Sequence, residues 1–137
     1  MDLTPVSPTA KAPAHAFTGD VYVTPIKRRD DESRLIAGLV RFTPCARTHW
    51  HSHALGQALY CTEGEGLVVN RDGRVLRLRA GDTVWTPPGE EHWHGGTDAT
   101  VMCHVAMLVG GEDGDGTTWL EPVTDEQYAD AHRVGPT

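Results

Sequence analysis

His51-Ser-His53 places two imidazoles two residues apart, and Gln57 adds a carboxamide oxygen four residues further on. A third imidazole, His92, closes the segment Pro87-Pro-Gly89-Glu-Glu-His92, just after a proline–glycine turn. On a strand, residues i and i+2 project from one face about 6–7 Å apart. The imidazoles of His51 and His53 can therefore converge on a single ion. Three neutral nitrogens and an amide oxygen, with one or two coordination positions left open, make a Lewis-acid centre. Ligands of this softness suit Mn, Fe, Co, Ni, Cu or Zn.

Other histidines need weighing beside these. His94 lies two residues beyond His92 and shares its strand face. It points inward either as a catalytic group or as a satisfied core histidine. His104 alternates with Met102 and Ala106 on one face, a pattern that by itself favours packing. His49 reads as a solvated rim residue, and Trp50, out of phase with the ligands, as packing outside the site or at a subunit contact. Val40, Phe42, Leu59, Met102 and Leu108 serve equally as pocket wall or plain core. Arg47 and Thr48 read as rim residues.

The elements that must hold these groups are short strands between turns. Val21 to Val23, Leu35 to Phe42, His49 to His53, Gln57 to Thr62, Leu67 to Val69, Val75 to Arg79, Thr83 to Trp85, His92 to His94 and Thr100 to Val109 all read as strands. Asp72-Gly73 between alternating segments marks a hairpin, and Gly64-Glu-Gly66 is expected to turn the chain. Residues 110–116, rich in Gly and Asp, form a surface loop. Thr124-Asp-Glu-Gln127 fits a capping box and starts a short helix from Asp125 to about Arg133. Many short strands with one terminal helix imply an all-β sandwich or small barrel.

With 137 residues the chain forms one domain with a real core. Residues 1–15, rich in Pro, Ala and Thr, read as a flexible N-terminal arm, and 16–137 as the single domain. The formal charge of −7, with Lys27-Arg28-Arg29 followed at once by Asp30-Asp31-Glu32, argues against nucleic acid as a partner. No apolar run reaches membrane-spanning length, and the N-terminus lacks the basic start and apolar stretch of a secretory signal, so a cytoplasmic protein is expected. Cys45, Cys61 and Cys103 show no C-x2-C spacing and read as reduced core thiols.

The two ligand-bearing stretches resemble the paired motifs of the cupins. Cys45-x5-His51-x-His53-x3-Gln57-x6-Gly64 is similar to the first motif, G-x5-H-x-H-x3-E-x6-G. Gly81-x5-Pro87-x-Gly89-x2-His92-x3-Gly96 is similar to the second, G-x5-P-x-G-x2-H-x3-N. Both spacings hold without insertion, and sixteen residues separate the motifs. The resemblance implies a double-stranded β-helix, or jelly-roll barrel, with a divalent metal held by His51, His53, Gln57 and His92. Cys45 replaces the opening glycine and Gly96 the closing asparagine. Gln57 stands where most cupins carry glutamate, so the ion keeps its full charge and polarises a hydroxyl more strongly.

A closer resemblance runs from about Phe17 to Tyr128. Ala46 to Gln57, Pro88 to Gly95 and Val123 to Tyr128 look like small bacterial cupins with manganese-dependent (R)-hydroxynitrile lyase activity, which also use three histidines and a glutamine. Trp50, His94 and His104 match positions of that group, whereas Leu108 replaces a polar amide and His49 a small residue. The resemblance implies a lyase acting on a cyanohydrin or aldehyde-like small molecule, with His94 as base and His104 carrying a second proton or orienting His94. It favours manganese, with Fe, Zn, Ni or Co as substitutes. Other members of the cupins suggest two further readings, a metal-dependent dioxygenase and a non-catalytic metal- or ligand-binding module. Exposed edge strands need covering, so a homodimer or higher homo-oligomer is expected.

Overall fold

A computed structural model describes residues 1–135. Twelve strands and one helix follow in chain order: β1 (Ala10–Lys11), β2 (Phe17–Thr18), β3 (Val21–Lys27), β4 (Leu35–Phe42), β5 (Arg47–Thr48), β6 (His51–His53), β7 (Gln57–Asn70), β8 (Val75–Arg79), β9 (Thr83–Thr86), β10 (His92–Gly96), β11 (Met102–Val109), β12 (Thr117–Trp119) and α1 (Asp125–Val134). All pairings are antiparallel, and the strands form one curled sheet folded into two walls. One wall runs β1-β3-β4-β11-β7-β9 and the other contains β8, β7, β10, β5 and β2. β6 pairs with β10 and β12 at the edge of the second wall.

β7 belongs to both walls and so closes the barrel. Its first part, from Gln57, pairs with β9 and β11, and its second part pairs with β8 and β10. The turn expected at Gly64-Glu-Gly66 is instead a bend inside this fourteen-residue strand. Gly64 adopts φ +73°, and a Cβ there would lie 1.9 Å from the Val101 carbonyl oxygen. Only glycine passes this point, because L side chains are disfavoured at positive φ and the neighbouring backbone leaves no room. The strand expected over His49 to His53 is broken at His49 and Trp50 into β5 and β6. The Asp72-Gly73 hairpin joins β7 to β8 as expected, with Val69 opposite Val75.

The arm region over residues 1–15 contains β1, whose Ala10 and Lys11 pair with Val23 and Tyr22, and Lys11 makes an ion pair with Asp20 at 2.8 Å. The barrel interior is filled by a cluster that includes Val21, Val40, Phe42, Leu59, Val68, Leu78 and Met102. A second cluster lies outside the barrel, where Trp50, Leu67, Val69 and Trp93 meet Val123, Tyr128 and Ala131. This cluster is the reason for α1. Its capping box is complete, with Thr124 accepting from the Gln127 amide and Gln127 reaching back to the Thr124 amide. Its Tyr128 hydroxyl donates to the Gly96 carbonyl at 2.7 Å.

The expectation for Trp50 holds, and those for Arg47 with Thr48 and for Cys45 are corrected. Trp50 packs outside the barrel but is buried under the C-terminal segment, with the Arg71 guanidinium 3.9 Å from its ring centroid. Arg47 and Thr48 are buried rather than solvated, and Arg47 reaches Asp125 at 2.7 Å and the Val123 carbonyl at 2.9 Å, clamping the start of α1. Cys45 is exposed, unlike the buried thiols of Cys61 and Cys103. No helix among the described residues is long and apolar enough to cross a membrane.

Candidate functional site

Strand register assembles the histidines. His92 on β10 lies directly opposite His51 on β6, and His53 follows two residues along the same face. Gln57 opens β7 and pairs with Thr86 across the other wall. The ring centroids of His51 and His92 are 4.3 Å apart, those of His51 and His53 5.0 Å, and those of His53 and His92 5.6 Å. Potential ligand atoms of the three imidazoles all lie within 4.8 Å of one another. Sequence and structure therefore agree on this trio, and Gln57 is buried beside it in the wall of the same cavity.

The hydrogen bonds behind the rings fix their tautomers. His51 Nδ1 lies 2.9 Å from the His49 carbonyl oxygen, and His92 Nδ1 lies 2.9 Å from the Glu90 carbonyl oxygen. A carbonyl oxygen only accepts, so each Nδ1 carries the proton and each Nε2 turns a lone pair inward. His53 Nδ1 is held by the Thr117 hydroxyl at 3.0 Å. Among the described residues, His53 Nε2, His92 Nε2 and Gln57 Oε1 are buried without a hydrogen-bond partner. Several buried acceptors facing one another without a donor are costly in an apolar wall. A divalent cation offsets that cost for all of them at once, so this donor set fits a metal.

Electrostatics point the same way. Burial first, then the neighbouring His92, pushes the His53 pKa down to about 4. Burial likewise holds His51 well below the ordinary value and lowers His92. All three are thus neutral ligands at pH 7 without assistance from a metal.

His94 and His104 form a second group. His94 comes from β10 in one wall and His104 from β11 in the other, and His104 Nε2 meets His94 Nδ1 at 3.0 Å across the barrel. Phe42 lies against both rings, with centroids 5.6 Å from His94 and 5.4 Å from His104. The Thr48 hydroxyl accepts from the His94 backbone amide at 3.1 Å. The His94 ring centroid is 5.2 Å from that of His51, and its Nε2 is buried without a partner. A His94 pKa near neutrality is what a base at this position would need. Complete burial, with His104 beside it, instead holds His94 well below the usual range, and burial lowers His104 to about 4. His49, expected in solvent, is buried, and its amide donates to the Ala16 carbonyl at 2.8 Å.

A cavity of about 140 Å³ joins the two groups, lined by His51, His53, His94, His104 and Gln57 and by the apolar Phe17, Val40, Ala106 and Leu108. Of the wall candidates named from sequence, Val40 and Leu108 line it, whereas Phe42, Leu59 and Met102 belong to the packed interior. Asp115, Thr117 and Trp119 also line it and were missed. Thr117-Thr-Trp119 follows a Gly- and Asp-rich loop, and its β-branched and aromatic composition was the available signal for an edge strand.

A model of the Cupin domain family matches residues 38–109. The chain is 43% identical over 120 residues to the (R)-mandelonitrile lyase of Granulicella tundricola, covering 88% of this chain and 91% of that protein. A crystal structure of a cupin-like protein from Thermotoga maritima superposes with a TM-score of 0.84 at 32% identity, covering 96% of this chain and 97% of the other. A cupin 2 conserved barrel domain protein from Rhodopseudomonas palustris shares the fold, with a TM-score of 0.67 at 17% identity over 94% of this chain and 83% of its own.

Proposed function

The chain belongs to the cupin family, and from that premise we propose that it is a metal-dependent lyase that cleaves and forms cyanohydrins. The observation that carries this reading is the juxtaposition of three converging imidazoles with a separate, hydrogen-bonded histidine pair, with His51, His53, His94 and His104 lining one cavity. The 43% identity to a mandelonitrile lyase supports the choice of reaction. In this proposal His51, His53, Gln57 and His92 hold the ion, with manganese first among the candidates. When bound, such an ion supplies Lewis acidity that lowers the pKa of a hydroxyl and offsets negative charge developing beside it.

The residues of the chain do the rest. Phe17, Val40, Ala106 and Leu108 seat the apolar part of the cyanohydrin. His94 Nε2 accepts the hydroxyl proton while its Nδ1 proton shifts to His104 Nε2, so the positive charge moves one ring deeper. The oxygen electron pair forms the carbonyl, the bond to the nitrile carbon breaks, and cyanide leaves with that bonding pair. The proton then returns through His94 to cyanide, which departs as hydrogen cyanide. Neither buried ring is a strong base by itself; two rings acting in series spread the charge that burial penalises.

The test is elemental analysis of protein purified without added metal, followed by mandelonitrile cleavage by each metallated form. Release of benzaldehyde with (R) preference by the manganese form is expected. Stoichiometric manganese with no cleavage of any cyanohydrin overturns the lyase reading and leaves a binding module. We further propose that a second copy of the chain covers the outer face of the β4–β11–β7–β9 wall. There Leu39, Val105 and Tyr60 are register neighbours, as are Met107, Ala58 and Trp85, and Tyr60 and Trp85 are exposed. Sedimentation as a monomer removes that assembly.

A further inference from the structure

A larger hollow of about 410 Å³ opens outward from the histidine cavity, and Phe17, Val40, Ala106 and Leu108 line both. The two spaces therefore adjoin along a shared wall. Strand register gives the depth. His104 pairs with Val40, Ala106 with Gly38 and Leu108 with Ile36, while Val23 and Pro25 flank Val40 and Gly38 from β3. From the His104 row to the Leu108 row is four residues, or about 13 Å at the usual rise. The walls of this channel are apolar, and its outer end is edged by Lys27, Arg28 and Arg29.

The cations at this edge are not equivalent. Lys27 is engaged by Asp30 at 2.7 Å. Arg29 donates to the Gly111 carbonyl at 2.8 Å and to the Gly114 carbonyl, tying down the 110–116 loop. Arg28 is exposed and has no carboxylate partner among the described residues. Asp31 and Glu32 follow in the chain but do not line the hollow. The carboxylate of Asp115, next in the chain to the Gly114 that Arg29 holds, lines the histidine cavity. An otherwise acidic chain thus sets cationic residues along the edge of an apolar channel.

We propose that the channel selects substrates with an extended apolar body ending in a carboxylate, with Arg28 as the specificity-determining residue for that end. This rests on the lyase reading only for the reacting group; the channel and its charge are independent of it. A short neutral cyanohydrin leaves most of the channel unfilled, whereas an ω-carboxylated one extends along it with the anion against Arg28.

Calorimetric titration of the intact protein with octanoate and with octanamide, in manganese-loaded and metal-free forms, tests this. The expected result is octanoate binding with similar affinity in both forms, and roughly tenfold or more tighter than octanamide at low salt. Arg28→Glu should abolish that preference. Gly38→Leu should abolish binding of both, since a Cβ at Gly38 meets only Thr24 O and Val23 Cγ1, each at 3.8 Å, and the longer side chain fills the channel floor. An unchanged preference in Arg28→Glu, or octanoate binding that requires manganese, overturns the proposal. A second arm compares kcat/KM for a mandelonitrile carrying a para carboxyalkyl chain with that for its methyl ester. If neither is cleaved but octanoate behaves as stated, the lyase reading fails alone. If mandelonitrile is cleaved with no preference for the acid, the channel proposal fails alone.

Discussion

Of the six buried histidines, all but His49 fall into two different environments. Each of His51, His53 and His92 has its Nδ1 anchored to an oxygen of the framework, leaving Nε2 turned toward the others. His94 and His104 are anchored to each other. An imidazole whose outer nitrogen is fixed by a carbonyl has a locked tautomer and a permanent lone pair, which is what a metal ligand requires. Two imidazoles bonded together have exchangeable tautomers, which is what a proton carrier requires. The same residue type at similar burial is thus suited to two tasks by the partner of its second nitrogen.

Substitutions that separate the two groups break this contrast most directly. His51→Ala removes a ligand and leaves a cavity beside His92, so metal affinity should fall by well over about 100-fold, beyond the range of losses seen for supporting residues. Competition with a fluorescent chelator reads this, and retention of stoichiometric manganese would contradict the assignment. His94→Ala and His104→Ala should instead keep the metal and lower kcat by about 10²–10⁴-fold. Loss of metal in either variant would mean that the division between ligands and carriers is misdrawn.

Acid titration of the metal-free protein probes both groups together. An unfolded imidazole takes up a proton near its ordinary value of 6.5, whereas folded His53 and His104 resist it until about 4. Between those values the unfolded chain binds more protons, so stability is full above pH 6.5 and is lost as pH falls toward 4. Each group contributes on the order of 3 kcal/mol to that loss. Urea midpoints at a series of pH values should show the slope in the wild type and a shallower one in His104→Ala. An equal slope in both would remove His104 from the account.

Smaller changes sharpen the contrast. Thr117→Val deletes the oxygen that orients His53 while keeping the shape of the side chain, and metal affinity should drop by roughly tenfold with the fold intact. The smallest effect is expected at Cys45, the residue standing where the first cupin motif has glycine. It holds φ +68° on the surface, a conformation that glycine adopts without steric cost. Cys45→Gly should change stability by no more than about 1 kcal/mol in either direction, because relief of strain opposes the greater freedom of the unfolded chain. Thermal unfolding measures it, and a large loss would show that the thiol has a structural partner.

Much of this was legible in the residues. β4 covers the apolar stretch Leu35 to Phe42 that reads as a strand, and the capping box from Thr124 to Gln127 starts α1. Legibility failed where contacts from distant parts of the chain decide. The glycines of Gly64-Glu-Gly66 read locally as a turn, but pairing with β11 on one side and β10 on the other keeps the chain extended through them. His49 and Arg47 look like solvated rim residues until Ala16 meets the first and Val123 and α1 meet the second. Thr117 had no signal as a partner of His53, sixty-four residues away.

Local order in the chain determined the barrel class and brought His51, His53, Gln57 and His92 forward as a donor set, because strand periodicity and motif spacing act over a few residues. Only the tertiary structure decided which oxygen stands behind each ring, that His94 and His104 meet across the barrel, and that an apolar channel ends at Arg28. Those depend on register between strands remote in sequence and on burial, and burial is a property of the whole fold.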